Sequence, residues 1–422
     1  MGSLISRSAK AALAAARAFA VVATGSAQAE RRDGASALAV GDISSTTKFS
    51  DAPGALPVGL ADSDSFGASV IGIGDLDGDG REELAVGAPG SDRVRVLFLN
   101  ADGTVSQQNI IGAATMAALP SGIPAADTAG TEFGAAVAGI GDLNLDGVTD
   151  VAVGAHGDDD GGPDGGAVHM ILLSAAGTPL TSTKISNTEG GFHPSLPDGS
   201  RFGESLAWLG DHEKDGVSDV AVGAPGDHEN DPLGVGPGTV FVVHLNLDGS
   251  VLDNQQVGLA SDAIGPDLSI ADGFGSSIAA PGDLNGDDIR DLVIGSPGDD
   301  GGGPGTGAMY LVTLTAAGST DTYVKVAGTT PALAPNIDDG DRFGRSIARL
   351  GNISDSTMLL LVGAVANDDG GLDRGAVWTV RVDVALADGD GDGLANVFED
   401  NDLDGDPTTN PGPGSDSDGL AS

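Results

Sequence analysis

The chain has 422 residues, no cysteine, 69 glycines and a formal net charge of −43 at pH 7. The absence of cysteine excludes a disulfide framework. The negative charge argues against nucleic acid or an anionic membrane as a partner, because both attract basic surfaces.

The first 29 residues have the layout of a secretory signal peptide. Arg7 and Lys10 precede an alanine-rich apolar run, and the small residues Ala27 and Ala29 provide a cleavage motif. Arg17 interrupts the apolar run, so an N-terminal extension that is not cleaved is the alternative. No other apolar run approaches the roughly 20 residues that a transmembrane helix needs. The sequence therefore predicts a secreted or cell-surface protein without a transmembrane segment.

Five copies of one pattern follow. Each copy begins with Phe-Gly, continues through a short strand and an acidic loop, and ends in an apolar strand closed by Gly-Ala-Pro or a variant. The copies begin 67 to 72 residues apart, and a fixed period of this length indicates a repeat fold. Their first residues are Phe66, Phe133, Phe202, Phe274 and Phe343.

The acidic loops of the first four copies share one residue pattern. Oxygen-bearing side chains stand at loop positions 1, 3, 5 and 9, with Gly or Asp at position 6. Position 6 is expected to adopt a positive φ in a sharp turn, which glycine permits and Asp288 tolerates. Such side chains converge on one point, which suits a hard cation with oxygen ligands at about 2.3 to 2.6 Å, and calcium is the predicted ion. Position 7 is predicted to supply its backbone carbonyl. Solvated Asp-Gly turns are the alternative, which four repeats of one spacing disfavour. The predicted ligands are Asp75, Asp77, Asp79, Arg81 and Glu83; Asp142, Asn144, Asp146, Val148 and Asp150; Asp211, Glu213, Asp215, Val217 and Asp219; Asp283, Asn285, Asp287, Ile289 and Asp291.

The fifth copy has lost these acids. It has Asn352, Ser354, Ser356 and Leu360 at positions 1, 3, 5 and 9, so no metal site is predicted there.

Each repeat contains four predicted strands, named A to D in chain order. In the first repeat, strands B, C and D are predicted over residues 84–88, 93–99 and 106–111. Four strands per repeat predict the blades of an all-β propeller, here with five antiparallel blades within residues 30–386. A β-solenoid is the alternative, although its rungs would be shorter. Later D strands are predicted over 182–186, 254–257 and 322–326.

The fifth repeat has a predicted strand C over 376–382 but no strand D. Residues 45–49 resemble the D strand near residues 182–185 and precede the first Phe-Gly. This N-terminal segment is predicted to complete the fifth blade and close the ring, removing exposed sheet edges.

The Phe-Gly corner, the D-x-[DN]-x-D-G-x-x-D loop and Gly-Ala-Pro together resemble the FG-GAP repeat of integrin α-subunit propellers and their bacterial relatives. The resemblance covers about residues 38–386. It implies a calcium-binding propeller that acts as an adhesion module. His156 and Val365 replace the proline of Gly-Ala-Pro, and Ser296 replaces its alanine. Integrin propellers have seven blades, whereas this sequence contains five repeats.

Residues 387–422 form an acidic tail without Lys or Arg. Asp388, Asp390, Asp392 and Glu399 fit the spacing of a twelve-residue EF-hand loop, but no flanking helices are predicted. The tail more closely resembles thrombospondin type 3 repeats, so calcium binding is predicted, with a plain acidic tail as the alternative. A further such repeat begins near the last residue, so we expect the parent chain to be longer.

Strand polarity divides the loops between two faces. The A–B and C–D loops share one face, and the B–C and D–A loops share the other, which carries the long insertions 112–131 and 258–273. We expect a protein or carbohydrate ligand on the second face, because long loops on a rigid scaffold commonly bind partners. Solvated loops without a partner are the alternative.

No catalytic motif is present, so no catalytic residue is predicted. His193 and His228 are the candidates if the protein were an enzyme. The predicted function is a secreted or cell-surface calcium-binding adhesion module. The alternatives are a structural surface spacer and a non-catalytic propeller within a larger secreted enzyme.

Overall fold

A computed structural model describes residues 47–50, 56–119, 130–228, 236–258, 262–333, 336–354, 357–368 and 374–383. Within these residues the chain forms nineteen strands in five antiparallel sheets, together with one four-residue helix, α1 (Ala113–Met116). The predicted signal peptide (residues 1–29) and the acidic tail with its candidate ligands lie outside the described residues.

The five sheets follow one another along the chain, and each is a simple meander whose neighbours in sequence are neighbours in the sheet. The first three comprise β1 (Val70–Gly72), β2 (Leu84–Ala88), β3 (Arg93–Leu99) and β4 (Val105–Gly112); β5 (Val137–Gly139), β6 (Val151–Ala155), β7 (Ala167–Leu173) and β8 (Pro179–Ile185); β9 (Ser205–Gly210), β10 (Asp219–Ala224), β11 (Thr239–Leu245) and β12 (Val251–Val257). The last two comprise β13 (Ser277–Gly282), β14 (Asp291–Ser296), β15 (Ala308–Leu314) and β16 (Thr320–Ala327); β17 (Phe343–Ser354), β18 (Thr357–Ala364) and β19 (Ala376–Asp383).

This arrangement confirms the predicted all-β propeller of five blades. The predicted B and C strands of the first blade match β2 and β3. The D strands are longer than predicted, because polar residues such as those of β12 (VLDNQQV) extend the ladder at the outer edge of the blade. Alternation with exposed polar residues suits an outer strand that is packed on one side only.

The middle strands are buried on both faces because the blades pack against one another. All five residues of β6 and all seven of β7 are buried, which explains why these sequences are apolar apart from His169. Each of the four junctions between consecutive blades contains its own apolar cluster, and Phe133, Phe202, Phe274 and Phe343 are fully buried in these clusters. The Phe-Gly corner is therefore an anchor between blades.

A glycine on strand B of one blade lies against the glycine that follows this phenylalanine in the next blade, so the two blades approach closely. At the junction of the first two blades, a Cβ added to Gly87 would lie 1.9 Å from the carbonyl oxygen of Gly134. Equivalent contacts join Gly154 to Gly203, Gly223 to Gly275, and Gly295 to Gly344 at 2.0 to 2.2 Å. No side chain fits at such a distance, so glycine is required at these strand-B positions.

The predicted closing strand is not found in the described residues. Thr47–Phe49, the described part of the 45–49 segment, has no strand conformation, and the fifth sheet contains only β17, β18 and β19. Phe49 instead packs beside Leu84, Val86 and Leu97 on the outward face of the first blade. The described part of this segment therefore covers an apolar face rather than extending a sheet ladder.

The repeated glycine contact is also missing between the last blade and the first among the described residues. A Cβ on Gly67 would meet no atom within 4 Å, and one on Gly363 would meet only Ser346 as its nearest neighbour. Val377 on β19 is 71% exposed. Within the described residues, the close glycine contact therefore occurs at the four junctions between consecutive blades and not between the fifth blade and the first.

Among the described residues, no helix has both the length and the apolar character that crossing a membrane requires.

Candidate metal centres

The position-1 carboxylate is the centre around which each acidic loop folds. Asp75 Oδ1 accepts hydrogen bonds from the backbone N–H groups of Gly78 at 2.8 Å and Asp79 at 3.0 Å, and its Oδ2 accepts one from Gly80 at 2.7 Å. The bond from the position-6 N–H recurs at 2.6 to 2.8 Å in the other three loops, where its acceptors are Asp142, Asp211 and Asp283. Charge-assisted bonds of this kind are strong, so they hold the loop in shape.

Two positions of each loop adopt the left-handed backbone conformation. The φ angles at positions 4 and 6 lie between +61° and +92° in all four loops. The sequence predicted this for position 6, including Asp288 with φ of 64°. It missed position 4, where Gly78 and Gly286 gave a signal that Leu145 and Lys214 obscured, because such residues seldom adopt positive φ.

The position-9 carboxylate ties the loop to strand C of the same blade. Asp150 is fully buried; its Oδ2 accepts the N–H of Leu143 at 3.0 Å and its Oδ1 accepts the N–H of Leu173 at 2.8 Å. The same pair of bonds is made in the third and fourth loops by Asp219 and Asp291. Since Leu173 ends strand C, the A–B loop and the C–D turn lie on one face, as strand polarity predicted.

The first loop has glutamate at position 9 and leaves one of its oxygens unpaired. Glu83 is fully buried, and its Oε2 accepts the N–H of Leu76 at 2.7 Å. Its Oε1 has no hydrogen-bond partner among the described residues. One carboxylate oxygen each from Asp75, Asp77 and Glu83 lies within 4.8 Å of the other two. A buried, unpaired carboxylate oxygen is costly, and a bound cation would satisfy it.

The fourth loop shows a related feature. The Oδ1 atom of Asn285 at position 3 is buried without a hydrogen-bond partner in the described part of the chain, while its Nδ2 donates to Asp287 Oδ2 at 2.9 Å. Position 3 therefore presents an oxygen without a protein donor. The candidate ligand atoms in the first, second and fourth loops are all oxygens, so these loops fit calcium.

Burial and mutual repulsion raise the pKa values of the position-9 carboxyls. Desolvation is the largest cause in each loop, and the neighbouring loop carboxylates add to it. The pKa is raised to about 7 for Glu83 and Asp150 and to about 8 for Asp219 and Asp291. A divalent cation would reverse this trend, since opposite charge favours the ionised form.

Positions 5 and 7 are linked through the backbone. The position-7 N–H of Val148 donates to Asp146 Oδ1 at 2.9 Å, and the N–H of Val217 donates to Asp215 Oδ1 at 2.8 Å. Arg81 and Ile289 make the same bond to Asp79 and Asp287 at 3.0 Å. This bond fixes the position-7 peptide beside the carboxylates. Coordination by its carbonyl remains a prediction.

The third loop departs from the others. Glu213 at position 3 contacts His244 Nδ1, which lies on strand C, so an imidazole joins the carboxylates. The sequence gives no local sign of this contact, because His244 follows the loop by about 30 residues.

The fifth repeat has a hairpin in place of a loop. Strands β17 and β18 pair as far as Ser354 with Thr357, and Leu360 at position 9 is fully buried among apolar side chains. The predicted loss of this metal site agrees with a strand ladder that continues where the other blades open.

Some acidic residues of the B–C loops, on the opposite face, form ion pairs within their own blades. Asp158 is 2% exposed and pairs with Lys184 Nζ at 3.0 Å, and Asp299 is 1% exposed and pairs with Lys325 Nζ at 2.7 Å. Both lysines lie on strand D, so these pairs hold the B–C loops against their own blades. Asp159, by contrast, is exposed.

The two candidate catalytic histidines gain no catalytic partner in the described residues. His193 is exposed, and His228 Nδ1 donates to the carbonyl of Gly226 at 3.1 Å. The geometry therefore gives no support to an active site at these positions.

Known proteins share these repeats. The FG-GAP repeat model matches residues 66–106 and 274–312, which are parts of the first and fourth blades. These findings support an FG-GAP β-propeller.

Curated relatives include integrin alpha-3 of Cricetulus griseus (33% identical over 175 residues), integrin alpha-7 of Homo sapiens (36% over 171) and integrin alpha-PS5 of Drosophila melanogaster (34% over 158). The matches cover 37 to 40% of this chain but only 12 to 14% of each relative. Among solved structures, rhamnogalacturonan lyase YesW aligns with a TM-score of 0.36 at 15% identity, over 74% of this chain and 48% of its own. Similarity this low says nothing about activity.

Proposed function

We propose that the protein is a secreted or cell-surface propeller that binds divalent cations in its first four A–B loops and presents a ligand-binding face on the opposite side. The observation that carries the metal proposal is a buried, unpaired carboxylate oxygen in the first loop that lies beside two solvent-exposed carboxylates. Glu83 Oε1 has no partner in the described residues and lies in a cluster with Asp75 and Asp77. Calcium is the proposed ion where all the donors are oxygens, with the position-7 carbonyl as a further ligand.

Metal binding has a structural purpose in this proposal. In the second, third and fourth loops the position-9 carboxylates bond strand C, so a cation at the loop would join strands A, B and C of one blade. At a calcium concentration tenfold above Kd, each site would stabilise the folded state by about 1.4 kcal/mol. Three calcium sites would then contribute about 4 kcal/mol, a large part of a typical domain's stability of about 5 to 15 kcal/mol.

The ligand is proposed to be a protein or a carbohydrate. Its support is the similarity to integrin alpha chains and the placement of the long insertions on the face opposite the metal loops. Extracellular calcium modules bind at about 10⁻⁴ to 10⁻³ M, which is consistent with export through the predicted signal peptide. The acidic tail, with Asp388, Asp390, Asp392 and Glu399, is proposed to bind calcium as well.

A structural spacer is the second candidate. The observation that favours it is the internal pairing of Asp158 and Asp299, which commits acidic loop residues to their own blades. A binding screen against glycans and matrix proteins separates the two functions. The adhesion proposal expects a ligand whose binding is reduced by replacing exposed B–C loop residues such as Asp159 and Asp300. It is contradicted if no ligand binds, or if only changes in the A–B loops reduce binding.

A non-catalytic propeller within a larger secreted enzyme is the third candidate. In that case the full-length parent protein would show turnover, and the propeller alone would show none. Replacing His193 or His228 would leave the turnover unchanged.

A further inference from the structure

The third A–B loop carries two histidines beside its carboxylates. His212 occupies position 2, where the other loops have Leu76, Leu143 and Leu284. His244 lies on β11 directly before Leu245, whose N–H bonds Asp219, and the equivalent residue in the second blade is Leu172. Relative to the second blade, the third blade has therefore exchanged two leucines for imidazoles at its metal loop.

Three side chains of different chemistry converge there. One ligand atom each from Glu213, Asp219 and His244 lies within 4.8 Å of the other two. Asp219 is 1% exposed and His244 is 4% exposed, while Glu213 is partly accessible from solvent. Asp253 pairs with His244 across strands β11 and β12 and adds a further negative charge. The cluster is therefore largely shielded from solvent and combines two carboxylates with a buried imidazole.

The imidazoles are incompletely satisfied within the described structure. His244 Nε2 and His212 Nδ1 are buried without hydrogen-bond partners there. The two rings are stacked with centroids 5.7 Å apart. His212 Nε2 donates to the carbonyl of Thr315 at 3.0 Å, which leaves the lone pair on its Nδ1. Buried nitrogens without partners cost free energy, so leucines at both positions, as in the second blade, would avoid this cost.

We propose that Glu213, Asp219 and His244 bind a transition-metal dication of the zinc class in preference to calcium. Calcium takes oxygen ligands, whereas imidazole nitrogen favours zinc, cobalt and nickel. Two carboxylates and one histidine are an established kind of donor set for zinc, which is completed by a water molecule. His212 stacks on His244 and positions its ring without being a ligand itself.

This inference rests on the proposed function for the presence of a cation in the third A–B loop, and it names the class of that cation. It requires neither a ligand on the opposite face nor calcium in the other loops. It makes the third blade chemically distinct within a series of similar sites. The protein would then carry two classes of metal site, one for calcium and one for a transition-metal dication.

The test uses the full, untagged chain, stripped with a chelator and then kept in excess calcium so that the oxygen-only loops are filled. Zinc is titrated calorimetrically, and cobalt is titrated by its visible absorption, which distinguishes a four-coordinate site of the zinc kind from an octahedral one. We expect one zinc per chain in excess calcium. His244→Leu, which copies the second blade, and Glu213→Asn, which copies position 3 of the second and fourth loops, should each weaken zinc binding at least about tenfold.

His169→Phe is the matched control. His169 is also a buried strand-C histidine, but it packs against Phe133, and phenylalanine stands at the equivalent place in the third blade as Phe241. Zinc binding should survive this change. If His244→Leu fails to fold, the zinc affinity of Glu213→Asn tests the proposal, because this variant has the same residue types at positions 1, 3, 5 and 9 as the second and fourth loops. Absence of a zinc site in the unmodified chain, or unchanged zinc affinity in the folded variants, would overturn the proposal.

Discussion

The carboxylate of Asp150 accepts the backbone N–H of Leu173 at 2.8 Å, across 23 residues of sequence. Asp150 ends the acidic loop and Leu173 ends strand C, so one side chain connects a candidate metal ligand to the frame of its blade. The blade's stability and the state of its loop should therefore be coupled.

Replacing Asp150 with Asn should destabilise the chain even without metal. Asp150 accepts two N–H groups, from Leu143 and Leu173. An amide offers only one oxygen, so its NH₂ group would face a buried N–H donor, at a cost of about 1 to 3 kcal/mol. Urea unfolding in chelator measures the change. Asp321→Asn, at an exposed position of β16, is the control and should have no measurable effect. Equal stability of the two variants would contradict the coupling.

The metal-free chain should lose stability as pH rises. The pKa of Asp150 is raised to about 7 and that of Asp291 to about 8, compared with about 3.9 for Asp in an unfolded chain. The folded state therefore holds protons that the unfolded state has released. This contribution is fully present below about pH 4 and is lost as pH rises through about 7 to 8.

Melting temperatures after chelator dialysis, measured from about pH 5 to 9, test this expectation. The melting temperature should fall across this range. Calcium binding should release protons in the same window, which calorimetry in two buffers of different ionisation heat detects. A melting temperature that rises towards pH 9 without metal would contradict the assignment.

A serine hydroxyl strengthens three of the junctions between blades, and one junction lacks it. Ser205 Oγ donates to the carbonyl of Gly275 at 2.7 Å, and Ser69 and Ser277 make the same bond in their blades. The second blade has Ala136 at this place. Ser205→Ala should cost about 0.5 to 1.5 kcal/mol, and Ala136→Ser should add a similar amount. Chemical unfolding measures both, and identical signs for the two changes would refute the interpretation.

The close glycine contacts predict an asymmetry between the ends of the blade series. Gly295→Ala would place a Cβ 2.0 Å from the backbone carbonyl of Gly344, so the two blades would have to separate. Overpacking of this kind costs about 1 to 3 kcal/mol or more. Gly363→Ala meets only the side chain of Ser346, which can rotate, so it should cost less. Thermal unfolding of the two variants under identical conditions provides the comparison; a larger loss for Gly363→Ala would contradict it.

The sequence predicted the features that repeat. The five repeats, the positions of β2 and β3, and the left-handed turn at Asp288 all follow from patterns written several times. Repetition allowed each copy to support the others. The loss of the fifth loop also followed, because Leu360 cannot replace a carboxylate.

The features that the sequence did not predict depend on contacts between distant residues. His244 meets Glu213 because strand C returns beside its own A–B loop, and no local pattern records this approach. The burial of Asp158 and Asp299 and their pairing with lysines could not be predicted, because acidic, glycine-rich loops are ordinarily solvated. The 45–49 segment looked like a strand by its resemblance to another strand, but Phe49 packs on an apolar face instead.

The most direct test of the central claim is the thermal unfolding of the full chain with and without calcium. Stripped protein is melted in chelator, then again after calcium is restored in excess, with Asp146→Ala and Ser354→Ala compared alongside. The metal proposal predicts a large fall in melting temperature in chelator that calcium reverses. The calcium-dependent gain should be smaller in Asp146→Ala and unchanged in Ser354→Ala. A melting temperature that is the same with and without calcium would contradict the assignment of these loops as metal centres.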